Sequence, residues 1–226
     1  DADSSAGSLS GLRVCVVACH FRPEASGSAP YNSLLVEILA DAGADVIVAG
    51  SNPRTTNGAV VAALRDRGMT VVAEPDGDMA SWEKELLAAA DHAPDYIIDD
   101  GAELTLRMAL HRPDLYKRLK GVSEETTTGT ARLYAMSAAG KLPFPALTAN
   151  NARCKHLFDN RYGTGQTTLQ AILRLTNRQI AGALQAFHQN LNVAVGHFYA
   201  LNDVADGADG VDIGGLGFVN AGVVLR

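Results

Sequence analysis

The sequence predicts an α/β fold built on a doubly wound, mostly parallel sheet. Two observations predict it. Short apolar runs without polar alternation recur, as strands covered on both faces require, and helical patterns separate them, which implies parallel crossovers. A third feature agrees: the run Ile97-Ile98-Asp99-Asp100-Gly101 ends an apolar strand with two acids, where open α/β sheets place their ligands.

In chain order the apolar runs give strands at Arg13–Cys19, Asp45–Ala49, Thr70–Ala73 and Tyr96–Asp99, with helices at Ser33–Ala42, Ala59–Arg67 and Ser81–His92 between them. Helical patterns continue at Leu104–His111, Thr130–Ala139, Ala152–Asp159 and Thr167–Ala186, with late strands at Lys120–Val122 and Pro145–Thr148. After that the character changes. Acids at every third position from Asp203 to Asp212 lead into Gly214-Gly215-Leu216-Gly217, and they lack the complete ligand spacing of a calcium loop, so a polar surface loop is expected and no metal.

At 226 residues and 47% hydrophobic, the chain has apolar material for one substantial core, or one core plus an appendage. A formal charge of −6 with no basic stripe argues against nucleic acid as a partner. No apolar run reaches the roughly 18 residues of a membrane span, and no signal peptide is legible. The odd set Cys15, Cys19 and Cys154 has no metal-ligand spacing and fits free thiols in a reducing cytosol, so a cytoplasmic location is expected, with Cys15 in the core.

The segment most suggestive of chemistry is Gly121-Val122-Ser123-Glu124-Glu125-Thr126-Thr127-Thr128-Gly129, followed by Asn150, Lys155 and Phe158-Asp159-Asn160. Two adjacent carboxylates running into three hydroxyls serve little packing purpose and suggest a polar pocket. Lys155 and Asp159, four apart on a helix, place an amine and a carboxylate within mutual reach. Such a pair is ordinarily a solvated surface pair; its company of acid-rich strand ends argues for a site instead. His92, His111 and His188 occupy helical stretches as partly exposed positions, His156 should point away from Lys155, and Trp82 belongs to the core or an interface. No Gly-x-Ser-x-Gly elbow supports a serine nucleophile.

This order of motifs resembles the S-adenosyl-L-homocysteine hydrolase family, specifically its substrate-binding domain, over Leu12–Gly182 and most strongly from Ile97 to Gly163. The resemblance implies a Rossmann-like substrate domain at 1–182 and a truncated remnant of a cofactor domain at 183–226. It matches Asp100, Glu125, Lys155 and Asp159 to the family's acid–base and sugar-binding residues, Asn150 and Asn160 to asparagines beside them, and His20 to a histidine in the same place. Val195-Gly196-His197-Phe198 resembles the turn that brings a second histidine, here His197, over the reacting sugar. Asn52, Thr126, Thr127, Thr128 and Tyr31 complete the expected substrate-binding set.

The family oxidises the sugar with bound NAD before its proton chemistry. A dinucleotide seat needs a strand, a Gly-x-Gly-x-x-Gly turn, a helix N-terminus and a later acid. Gly163-x-Gly165 follows no strand, and Gly214–Gly217 is too near the end of the sequence for a βαβ unit. Departures also occur near the start. Arg22–Pro30 is an extra run, Asn57-Gly58 stands where Gln-Asp is expected, and Ala29 and Tyr31 fall at the adenine-reading positions, which argues that adenosine is not the preferred ligand.

Three readings follow. The first keeps the proton-handling residues without a cofactor, for elimination, addition, isomerisation or cyclisation of a small molecule. The Ala- and Arg-leaning composition associates it with bacterial specialised metabolism. In the second the chain is an ordinary NAD-dependent hydrolase seen incompletely. The third is a nucleoside-binding pseudoenzyme. A homodimer is the expected assembly.

Overall fold

The computed structural model describes residues 8–25 and 27–177. All of these lie in the first of two units into which the chain divides, Asp1–Ile180. Six strands, β1 (Arg13–Ala18), β2 (Asp45–Gly50), β3 (Thr70–Val72), β4 (Tyr96–Asp99), β5 (Gly121–Glu124) and β6 (Ala146–Thr148), form one sheet in the order β3-β2-β1-β4-β5-β6, and every pairing is parallel. The doubly wound sheet expected from the sequence is therefore present. Its strand order reverses between β1 and β4, which opens a crevice beyond their carboxyl ends.

The period-2 geometry of the strands divides the core into two layers. Val14 and Val16 of β1 and Val46 and Val48 of β2 pack with Phe21, with Val36 of α1 (Ala29–Asp41) and with Val60 and Leu64 of α2 (Gly58–Asp66). The intervening Cys15, Val17, Ile47 and Ala49 face the other way. They join Trp82 and Leu86 of α3 (Met79–Asp91), Leu104 and Met108 of α4 (Glu103–His111), and Leu133 of α6 (Thr127–Ala138). Cys15 is fully buried, as expected, and burial drives its thiol pKa sharply up.

α3 shows how sequence sets an element. Asp78 caps it by accepting the Ser81 N–H at 2.7 Å, and Trp82, Leu86, Ala89 and Ala90 make one buried face. The Trp82 indole donates to the Gly50 carbonyl at 2.7 Å and lies under the Arg107 guanidinium, tying the helix to the end of β2.

Several boundaries differ from the sequence expectation. α1 starts at Ala29, not Ser33, because Pro30 suits a first helical turn. α6 starts at Thr127, not Thr130, because Thr126 is its cap. β5 runs to Glu124, and a short α5 (Pro113–Tyr116) was not anticipated. The helix expected at Ala152–Asp159 is instead a short turn, α7 (Arg153–Lys155), continuing into a π-helix over His156–Gln166 and then α8 (Thr167–Thr176). The remainder of the helix expected to Ala186, His188, His197, the Asp/Gly-rich segment and the proposed remnant at 183–226 lie outside the described residues.

Candidate functional site

Every strand that reaches the crevice delivers a polar group to it. Pairing in register sets Asp99 beside Glu124, and the ladder continues one step as the Glu125 N–H reaches the Asp99 carbonyl at 3.4 Å. Adjacent residues at a strand end point to opposite sides. Asp99 and Glu124 therefore turn inward and are fully buried, while Asp100 and Glu125 turn towards the crevice.

The inward pair is a helix cap. Asp99 accepts the Thr105 N–H at 2.9 Å and its hydroxyl at 2.6 Å. Glu124 accepts the N–H groups of Gly101 at 3.0 Å and Ala102 at 2.8 Å, and the N–H and hydroxyl of Thr126 at 2.8 and 2.7 Å. Gly101 and Ala102 both have positive φ, 83° and 54°, which turns their amides onto this carboxylate. Thr126 also caps α6 by accepting the Gly129 N–H at 3.0 Å, so its hydroxyl, assigned to substrate on sequence, is engaged in the fold.

Gly129 is required by close approach: a Cβ there would sit well inside contact distance of the Glu124 carboxylate. Four hydrogen bonds prevent that carboxylate from retreating. Gly129→Ala is expected to destabilise the fold by about 3 kcal/mol, read as a lower urea midpoint, and by markedly less in a Glu124→Ala background.

The outward residues meet Lys155. Its ammonium donates to the Glu125 carbonyl at 2.7 Å, to Asn160 Oδ1 at 2.8 Å and to Asn150 Oδ1 at 2.9 Å, and pairs with Asp159 at 3.0 Å. The expected Lys155–Asp159 contact is present, and the wide turn of the π-helix lets the residue five positions on share it. Asn150 and Asn160 are buried and bonded to each other at 3.1 Å, and both donate to Thr127 Oγ1. His156, expected to point elsewhere, is buried and its Nδ1 lies 3.1 Å from Asn160 Nδ2, so it supports the cluster from behind.

Asp100 accepts the Ser51 hydroxyl at 2.7 Å, and Cys19 stands at 3.7 Å. Burial, with a smaller push from the charge of Glu103, raises its pKa, while the Ser51 and Cys19 hydrogen bonds and then the charge of His20 oppose the rise. Glu125 is raised too, first by the loss of hydration and then by Asp100, with Lys155 and His20 opposing; its side chain reaches solvent, but the surrounding protein crowds the carboxyl. The shared electrostatics of His20, Asp100, Glu125, Lys155 and Asp159 mark one neighbourhood.

Other expected site residues stand apart. Tyr31 is 70% exposed on the first turn of α1, beside the buried Ala29, and Thr128 is exposed on α6. Asn52 spends its side-chain oxygen on the Arg54 N–H at 2.9 Å, shaping the loop after β2. Ser51, Glu24, Asn57, Glu124 and His156 were given no role from sequence, although the doubled acids and strand parity carried a signal for Glu124. Among the described residues no group of His, Cys, Asp and Glu has metal-binding geometry, and no helix is long and apolar enough to cross a membrane.

A sequence model of S-adenosyl-L-homocysteine hydrolase matches residues 108–200. The adenosylhomocysteinase of Gloeobacter violaceus is 39% identical over 91% of this chain and 50% of its own length. The chain belongs to the S-adenosyl-L-homocysteine hydrolase family. The adenosylhomocysteinase of Thermotoga maritima is 47% identical over 64% of the chain and 36% of its own length. The S-inosyl-L-homocysteine hydrolase of Methanocaldococcus jannaschii is 44% identical over 66% and 36%. The chain thus spans a third to a half of the length of these relatives.

The resemblance to this hydrolase family implies a dinucleotide, and the described residues do not fit one. Just after β1, where a glycine cradle would stand, the chain has Phe21, which is 2% exposed and packed in the core with Val14, Val16 and Val36. Asn57, Asp78 and Thr126 cap α2, α3 and α6, and Asp99 with Glu124 takes N–H groups at the start of α4, whereas α1 has no side-chain cap.

Proposed function

We propose that this domain binds the nucleoside portion of an S-nucleosyl-L-homocysteine thioether and handles protons at its sugar, as the substrate half of a hydrolase. The observation that carries the reading is the Lys155 ammonium, surrounded by Asn150, Asn160, Asp159 and the Glu125 carbonyl beside the Asp100 and Glu125 carboxyls. The names of the relatives support the second of the sequence readings over cofactor-free chemistry.

In this reading Asn150 and Asn160 orient sugar hydroxyls. Lys155 Nζ carries the proton taken from or returned to the sugar, and Asp159 steadies the ammonium. Burial raises the pKa of Asp100 and of Glu125 above the ordinary carboxylate range, the direction that suits general acid–base work. No step is assigned to NAD on these residues.

Relatives of both adenosyl and inosyl type support a purine nucleoside without fixing the base. Calorimetric titration of the full chain with S-adenosyl- and S-inosyl-L-homocysteine tests the reading. Saturable binding of at least one is expected, weakened about tenfold or more by Asp100→Asn, the worth of a hydrogen bond to a charged group. Absence of binding by either at millimolar concentration overturns it.

A further inference from the structure

Resting on that reading of the site, we infer that Glu24 is a positioning residue for His20, clamping its imidazole by one ring nitrogen so that the other is presented to ligand. Glu24 lies in the extra run Arg22–Pro30. Its Oε2 is 2.9 Å from His20 Nδ1, and its Oε1 accepts the Asn57 side-chain amide at 2.9 Å. The carboxylate is therefore held at both oxygens. Asn57 is itself anchored, since its own Oδ1 caps α2 by accepting the Ala59 N–H at 2.9 Å. Two departures noted in the sequence, the extra run and Asn57, thus meet at one carboxylate.

The loop that carries this contact is pinned on its other side. Asn32 of α1 donates to the His20 carbonyl at 2.9 Å, and Ser33 accepts the Arg22 N–H at 2.9 Å. A carboxylate accepts hydrogen bonds, so a neutral His20 facing Glu24 carries its proton on Nδ1, and Nε2 becomes the acceptor. The same division of labour orients histidines in acyl-transfer and metal sites, where a carboxylate behind the ring fixes the tautomer. His20 follows Cys19, whose thiol stands 3.7 Å from Asp100, so the ring leaves the end of β1 beside the proposed site, and its charge acts on Asp100 and Glu125.

The test is the tautomer of His20 in the ligand-free full chain, read from long-range proton–nitrogen spectra at about pH 8.5, where an imidazole is ordinarily neutral. The signals are assigned by their loss in His20→Asn. The wild-type chain is expected to hold Nδ1–H, and Glu24→Ala to shift the tautomer ratio towards Nε2–H by about tenfold, the worth of a charge-assisted hydrogen bond. Glu24→Gln, whose amide oxygen still accepts, restores much of the ratio. Ser33→Ala loosens the same loop at its other anchor and is expected to leave the ratio unchanged. An unchanged ratio in Glu24→Ala overturns the inference, as does an equal shift in Ser33→Ala. Loss of nucleoside binding in Glu24→Ala with the His20 signals intact also overturns it and makes Glu24 a ligand contact. The spectra need no ligand, so failure of thioether nucleosides to bind counts against the proposed substrate alone.

Discussion

Replacing Lys155 with methionine is expected, under the proposed function, to slow proton transfer at the site by about 10²–10⁴ while destabilising the fold by about 2 kcal/mol. The two effects have separate causes. Asn160 is buried, and its Oδ1 takes a donor from Lys155 at 2.8 Å, so the substitution strands a buried acceptor; such a loss costs about 1–3 kcal/mol. Asn150 Oδ1 keeps the Asn160 amide at 3.1 Å and adds little. The Asp159 partner is 55% exposed, so that ion pair contributes little to folding. Function carries the greater loss, since removing a general acid or base typically costs about 10²–10⁴ in rate. Lys155→Arg is expected to recover part of the stability but not the rate, because a planar guanidinium does not fit four oxygens gathered around one nitrogen. Urea unfolding and turnover of S-adenosyl- and S-inosyl-L-homocysteine by the full protein read the two separately. Unchanged turnover in Lys155→Met would remove Lys155 from the chemistry.

How much of this was legible in the sequence depends on the scale of the interaction. The sheet was read nearly strand for strand, because parallel strands buried on both faces leave continuous apolar runs such as Val14-Cys15-Val16-Val17. The Lys155–Asp159 pair was legible because it depends on local spacing. Its wider surroundings were not: the π-helix alters which residues share a face, so His156 was directed away from a cluster it supports. The structural role of Thr126 was missed for another reason. Its hydroxyl looks like a ligand contact in a run of three threonines, yet it terminates a helix and braces Glu124. Ser51 reaches Cys19 and Asp100, and Asn57 reaches Glu24, across 32 residues or more of chain, for which a single sequence supplies no spacing rule; the His20–Glu24 pair, four apart, carried the same local signal as Lys155–Asp159 and went unread. Tyr31 was placed by aligning a helix rather than by contact, and it stands exposed.

The buried acids predict a fold that weakens from mildly acidic to alkaline conditions. Burial, reinforced by the charge of Asp99, pushes the Glu124 pKa up from 4.5 to about 8, and hydrogen bonds from Thr126 and Gly101 offset only part of the rise. The folded chain therefore retains a proton that the unfolded chain releases. Stability from this group is full below about pH 4.5 and is lost as pH climbs towards 8. Asp99, Asp100 and Glu125 are raised as well and act in the same direction. Asp91 and Asp95 oppose them only in acid: Arg112 and the Arg13 N–H hold their pKa values down, so their contribution disappears as pH falls below the ordinary 3.8. Maximal stability is accordingly expected at about pH 4, with the urea midpoint declining from there to pH 9. Glu124→Gln removes the principal titrating group and is expected to flatten that decline, at a cost of about 2 kcal/mol where its amide faces the Gly101 and Ala102 N–H groups. A wild-type midpoint that rises from pH 5 to 8 would mean that the donors around Glu124 hold it ionised, and that α4 is capped by a charge rather than by a neutral acid.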